Sequence, residues 1–117
     1  MNQKLAVIDL GTNTFHLLIA ENQDGKNHII YREKVAVKLG KSGINQDIIR
    51  DDAINRAILT LQGFKTKMDH EGVDRVYAVG TSALRNAKNS SAVVEKIKST
   101  TGIDISVITG DEEAEMI

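Results

Sequence analysis

The hydrophobic period changes once along the chain, and that change restricts the fold more than any other feature. Up to Leu39, apolar side chains alternate or run in short blocks, as strands do. Beyond Asp51 they also step by three and four, as helices do. Lys4-Leu5-Ala6-Val7-Ile8-Asp9 reads as a buried strand that ends on a carboxylate. Phe15-His16-Leu17-Leu18-Ile19-Ala20 reads as a second strand, with His16 packed among apolar neighbours. Gly11-Thr12-Asn13-Thr14 between them makes a tight connection. Within the turn from Asn22 to Asn27, Asp24-Gly25 is a local hairpin signal. His28 to Leu39 then alternates, with Val35, Val37 and Leu39 on one face and Lys34, Ala36 and Lys38 on the other.

Asp51-Asp52 can cap a helix whose apolar positions are Ile54, Ala57, Ile58, Leu61, Phe64 and Met68. Gly63 weakens that helix, and Gly72-Val73 ends it. Val76 to Val79 is a short buried strand. A helical stretch follows Gly80, breaks near Asn89-Ser90-Ser91 and resumes through Val93, Val94 and Ile97. Ile103 to Ile108 is a fifth strand, and a last helix begins after Gly110. The order β-β-β-α-β-α-β-α predicts an α/β domain: a five-stranded mixed sheet with an antiparallel edge and helices packed on it. A helix as short as the last one is marginal unless it docks on something, so the chain is expected to be the front part of a longer protein.

Length and composition narrow the function classes. At 117 residues, with 41% hydrophobic and 26% charged residues, the chain fits one globular domain with a real core. Having no cysteine, it cannot build a disulfide framework, a zinc ribbon or a thiol nucleophile. Its 15 Lys+Arg against 16 Asp+Glu leave no positive excess for nucleic-acid binding, and two Tyr with two Phe make no base-stacking platform. The apolar run Leu5–Ile8 is too short for a membrane span or a signal-peptide core, so no membrane contact and a cytoplasmic location are expected. With no proline, Gly, Asn and Asp must make the turns.

Three segments could carry chemistry. In Asp9-Leu10-Gly11-Thr12-Asn13-Thr14 a strand ends on an acid and reverses through small polar residues. Backbone N–H groups there can form a nest for a phosphate oxygen, and Asp9 can hold a hydrated divalent cation such as magnesium. The same hexapeptide also fits an ordinary turn with a solvated Asp9. Gly80-Thr81-Ser82-Ala83-Leu84-Arg85 carries a strand into a helix, where free N–H groups and the Arg85 guanidinium suit a phosphate. Taken singly, the segment fits a Thr81 or Ser82 helix cap with a surface Arg85 better. In Thr109-Gly110-Asp111-Glu112-Glu113-Ala114, Thr109 and Glu112 match a capping box, which leaves Glu113 free to face another surface. Facing a bound anion, Glu113 would be a general base for water. All three segments fall at strand C-terminal ends, the edge where open α/β sheets bind ligands. Gly40-Lys41-Ser42 lacks the earlier glycine of a nucleotide-binding loop, Asn89-Ser90-Ser91 matches a glycosylation sequon with no sign of secretion, and His16, His28 and His70 lack metal-ligand spacing.

These residues together resemble the exopolyphosphatase / guanosine pentaphosphate phosphohydrolase (Ppx/GppA) family: Ile8-Asp9-Leu10-Gly11-Thr12-Asn13-Thr14-Phe15-His16, Val79-Gly80-Thr81-Ser82-Ala83-Leu84-Arg85 and Ile108-Thr109-Gly110-Asp111-Glu112-Glu113-Ala114. The resemblance implies a ribonuclease H-like fold of the actin-like ATPase superfamily, with residues 1–117 as the first of two such domains. It implies magnesium-dependent removal of the terminal phosphate from inorganic polyphosphate or guanosine pentaphosphate. By position, Glu113 is similar to the catalytic base and Arg85 to the arginine on the terminal phosphoryl group. Gly11, Thr12, Asn13 and Thr14 resemble the first phosphate loop, Asp9 its metal-side acid, and Thr81 and Ser82 join the phosphate contacts. The sequence departs from the family at Glu115, where an Arg is common, and it holds no Asp-x-Gly-Gly-Gly-Ser loop, which the resemblance places in the next domain. A surface shaped for that domain could also promote a homodimer. A polyphosphate or guanosine polyphosphate sensor without turnover, and an ATP-dependent kinase of the same superfamily, are the competing expectations.

Overall fold

The computed structural model describes residues 3–40 and 48–115. It contains β1 (Lys4–Leu10), β2 (Thr14–Gln23), β3 (Lys26–Ala36), α1 (Asp51–Glu71), β4 (Arg75–Gly80), α2 (Ser82–Asn86), α3 (Ser90–Thr101), β5 (Ile105–Val107) and α4 (Gly110–Glu115). The expected five-stranded mixed sheet is present, with the order β3-β2-β1-β4-β5. β1 pairs antiparallel with β2 and parallel with β4, while β5 runs parallel to β4. β1 is therefore where the sheet changes sense. The C-terminal ends of β1, β4 and β5 lie side by side on one rim.

Alternation of side chains divides the sheet into a face covered by helices and a face that the described helices leave open. Ala6, Ile8 and Leu10 of β1 and Phe15, Leu17 and Ile19 of β2 are fully buried in a core shared with Ala53, Ala57, Leu61 and Phe64 of α1 and Val93 and Ile97 of α3. On the other face Asp9 is half-buried and His16 is exposed. His16 is thus not the packed residue its apolar neighbours suggested, because strand period two sends it away from Phe15 and Leu17.

Several boundaries differ from expectation for local reasons. The Asn22–Asn27 turn tightens to Asp24-Gly25, both at positive φ (54° and 80°), so Asn22 and Gln23 pair with Asn27 and Lys26. β3 stops at Ala36 because the N–H groups of Val37 and Lys38 both turn to the Asn13 carbonyl at 2.9 Å. Val37 and Leu39 keep the alternation and remain buried. The cap of α1 is Arg50, in extended conformation, and Asp51 and Asp52 occupy the first turn instead. There the Arg56 guanidinium, by hydrogen bond, holds the Asp52 carboxyl below the ordinary range. Gly72 ends α1 at φ 69°, a left-handed cap that favours glycine. The helical stretch after Gly80 breaks over residues 87–89 and resumes as α3, as expected, whereas β5 is confined to Ile105–Val107, which pair with Ala78–Gly80. Lys41 and Ser42 lie outside the described residues.

Candidate functional site

The first loop is a turn closed on itself. Gly11 N–H donates to the Thr14 carbonyl at 3.1 Å, so this amide is not available to a ligand. A side chain at Gly11 would bring its Cβ within 2.9 Å of that oxygen, which is why glycine is required. The carbonyls of Thr12 and Asn13 accept from Gly40, Val37 and Lys38, so the chain leaving β3 buttresses the loop from behind. Arg56 of α1 fixes this buttress by donating to the carbonyls of Val37 (2.8 Å) and Lys38 (3.2 Å). Nothing in the sequence pattern marked Arg56, because its partners are main-chain atoms brought close by the fold. Among the described residues, the N–H groups of Thr12 and Asn13 take no backbone acceptor.

The second loop lies against the first. Thr81 N–H donates to the Leu10 carbonyl at 3.2 Å, continuing the β1–β4 ladder past its last pair. Its side chain is buried, and the hydroxyl donates to the same carbonyl at 3.4 Å rather than capping α2. The Ser82 and Thr12 hydroxyls meet at 2.6 Å, joining the two loops. A Cβ on Gly80 would come within 2.5 Å of Leu84 Cδ1 and 3.3 Å of Ile105 Cγ2, so glycine lets α2 pack close to β4.

Arg85, one turn into α2, reaches the third loop. Its Nη1 donates to the Ile108 carbonyl at 3.0 Å and to Glu113 Oε1 at 3.3 Å, and both side chains are partly exposed. The capping box at α4 forms as expected: Glu112 accepts from Thr109 N–H, and Thr109 Oγ1 accepts from Glu112 N–H, each at 3.1 Å. That commits Glu112 to the helix end and turns Glu113 towards Arg85. A guanidinium has five N–H donors, so Arg85 can hold Glu113 and still present donors to an anion.

Asp9 adds an acid on the same rim. Its Oδ1 is buried and has no hydrogen-bond partner among the described residues, a costly state for a carboxylate oxygen. Burial pushes the Asp9 carboxyl above the ordinary range; His16 draws it down, and Glu113 pushes it up again. An orphaned oxygen beside a second acid suits the outer coordination of a divalent cation. The other ligands would have to be water or substrate, because no group of three potential metal-ligating side chains occurs among the described residues. The fold thus brings Asp9, Thr12, Thr81, Ser82, Arg85 and Glu113 to one edge. Asn13 stands exposed at the loop tip, and Thr14 opens β2. Among the described residues no helix is long and apolar enough to cross a membrane.

A profile of the Ppx/GppA phosphatase family matches residues 18–117. A guanosine-5'-triphosphate,3'-diphosphate pyrophosphatase from Aliivibrio fischeri is 34% identical over 118 residues, covering 100% of this chain and 24% of that protein. Among solved structures, an exopolyphosphatase from Cytophaga hutchinsonii matches with a TM-score of 0.94 at 44% identity, over 98% of this chain and 37% of that one. A Ppx/GppA family member from Aquifex aeolicus gives a TM-score of 0.92 at 34% identity, over 97% of this chain and 37% of its own. The chain spans about a quarter of the length of the curated relatives it matches. Likeness to the ethanolamine utilization protein EutJ from Carboxydothermus hydrogenoformans, with a TM-score of 0.51 at 12% identity, extends to the fold alone. With an actin-like, ribonuclease H-like α/β sheet and a family match over most of its length, the chain belongs to the Ppx/GppA phosphatase family.

Proposed function

We propose that this chain supplies the phosphate-binding and base-bearing part of a phosphohydrolase that removes the terminal phosphate from inorganic polyphosphate or guanosine pentaphosphate. Glu113 accepts a proton from the attacking water, and Arg85 holds the terminal phosphoryl group. The Thr12 and Asn13 amides and the Thr12, Thr14 and Ser82 hydroxyls line the phosphate path beside Gly11, while Thr81, its buried hydroxyl bound to the Leu10 carbonyl, positions the second loop rather than touching phosphate. Asp9 would hold a hydrated magnesium ion whose charge offsets that of the phosphates. Such a division suits phosphoryl transfer, which needs positioning and charge neutralisation more than covalent help from the protein.

One observation carries the reading. Glu113 and Arg85 come from segments 28 residues apart and meet at 3.3 Å, on the same edge as an acid with an unpartnered buried oxygen. Glu113→Gln in the full-length protein is expected to lower phosphate release by about 10²-fold or more while polyphosphate binding is kept. Unchanged turnover would remove Glu113 from the role of base. A protein that binds both substrates but releases no phosphate before substitution would be a sensor. Assaying release from polyphosphate and from guanosine pentaphosphate side by side decides the preferred substrate.

A further inference from the structure

The carbonyls of the first loop are tied down from behind, and the ties lead back to one side chain on α1. Gly40 N–H donates to the Thr12 carbonyl at 3.0 Å, and the N–H groups of Val37 and Lys38 share the Asn13 carbonyl at 2.9 Å. In a planar trans peptide the N–H points opposite to the C=O. Tying the Thr12 carbonyl to Gly40 therefore aims the Asn13 N–H away from the β3 exit, and it takes no backbone acceptor among the described residues. The approach is close: a Cβ on Gly40 would overlap the Thr12 methyl group.

The segment that makes these ties is itself in an unfavourable conformation. Lys38 sits at φ 57°, in the left-handed region that is strained for lysine and open to glycine. Buried Val37 and Leu39 anchor the side chains of this segment in the core, whereas its carbonyls are met by Arg56. Arg56 Nε donates to the Val37 carbonyl at 2.8 Å and Nη2 to the Lys38 carbonyl at 3.2 Å. The remaining arm, Nη1, donates to Asp52 Oδ2 at 3.1 Å one helical turn earlier, which fixes the plane of the fork. Each of the three guanidinium nitrogens is engaged within the chain, so this side chain is placed to hold backbone rather than to meet a phosphate. A lysine ammonium in its place would lack the planar fork that holds both carbonyls at once.

We infer that Arg56 is a positioning residue for phosphate binding. By clamping the Val37 and Lys38 carbonyls it holds the strained β3 exit, and through it keeps the Asn13 amide turned towards the substrate's phosphate. The inference rests on the proposed function of the Asp9–Arg85–Glu113 rim and extends it to a side chain of α1 that touches neither substrate nor the reacting atoms.

Steady-state phosphate release from polyphosphate by the full-length protein tests this, at a temperature well below the unfolding midpoint of each variant. An amide that binds phosphate equally in the ground state and the transition state is felt in KM. Arg56→Gln should raise KM about tenfold, the effect of one hydrogen bond to a charged group, and leave kcat within about twofold. Arg56→Lys keeps the charge and the stem, so it should fold, and its missing fork should raise KM about threefold. Lys38→Gly removes the cost of the left-handed turn, so in that background Arg56→Gln should raise KM by no more than about threefold. If Arg56→Gln does not fold, Arg56→Lys takes its place, and its rise in KM should likewise shrink beside Lys38→Gly. A parent-like KM in the folded Arg56 variant, with only the unfolding midpoint lowered, makes the residue merely structural and overturns the inference. An equal rise in KM with and without Lys38→Gly overturns it too. Turnover that depends on Glu113 and Arg85 but not on Arg56 brings down this inference alone. A parent protein that turns over neither polyphosphate nor guanosine pentaphosphate brings down the proposed function and this inference together.

Discussion

Asp9 illustrates how one side chain can set stability against function. Ionising it leaves a charged carboxylate partly desolvated, with one oxygen unpartnered among the described residues and Glu113 nearby. Its folded-state pKa lies above the ordinary value, so ionisation costs the folded chain more than the unfolded one. Asp9→Asn is therefore expected to raise the unfolding midpoint at neutral pH. The gain should be full above the raised folded-state pKa and fade as the pH falls through it towards the ordinary carboxylate range. Thermal unfolding of both proteins from pH 3 to pH 8 checks this, and a pH-independent difference would contradict it. At the same scale, Asn89 holds Ile49 through two bonds of 2.9 Å, its Oδ1 accepting from Ile49 N–H and its Nδ2 donating to the Ile49 carbonyl. Asn89→Ala should cost about 1–3 kcal/mol, read from denaturant unfolding. The sequence showed Asn89 as a helix break and a sequon residue but not as a brace, because its partner lies 40 residues away.

Elements differ in how much they owe to their own residues. Every apolar position expected on α1, from Ile54 to Met68, is buried, since a 21-residue helix with a continuous apolar stripe has one stable way to face a sheet. Gly63 sits on its exposed side, and a Cβ there would meet nothing within 4 Å. Gly63→Ala should stabilise the chain by about 1 kcal/mol, which raises the unfolding midpoint by about 4 °C. α2 and α4 are shorter than any helix that would persist alone. Thr81 packs α2 against β1 through the Leu10 carbonyl, while the capping box and Arg85 hold α4. Gly80→Ala should push Leu84 and α2 outwards, costing about 1–3 kcal/mol and displacing Arg85 from Glu113. A lowered unfolding midpoint together with weaker phosphate binding would show both effects.

On the scale of the whole molecule, strand direction assembles the site. β1, β4 and β5 are parallel neighbours, so their exits fall on one edge and in one row: Leu10 opposite Gly80, and Gly80 opposite Val107. Reversing any one of these strands would carry its loop to the opposite end of the sheet. The rim remains open, and the chain covers about a quarter of the length of its curated relatives. Phosphate release by this chain on its own, assayed with magnesium and polyphosphate, should accordingly be negligible. Steady turnover would show that these residues suffice without the rest of a family-length protein.

Local chemistry was enough to foretell the five strands, the hairpin at Asp24-Gly25, the buried stripe of α1 and the division of labour between Glu112 and Glu113. Each of these depends on neighbours within a few positions, where periodicity, turn conformation and capping act directly. Tertiary structure alone decided that His16 stands beside Asp9, that Arg56 braces the first loop, that Thr81 packs rather than caps, and that an Asp9 oxygen has no partner among the described residues. Those outcomes depend on which strand lies beside which and on main-chain atoms tens of residues away, and that information exists only once the sheet has closed.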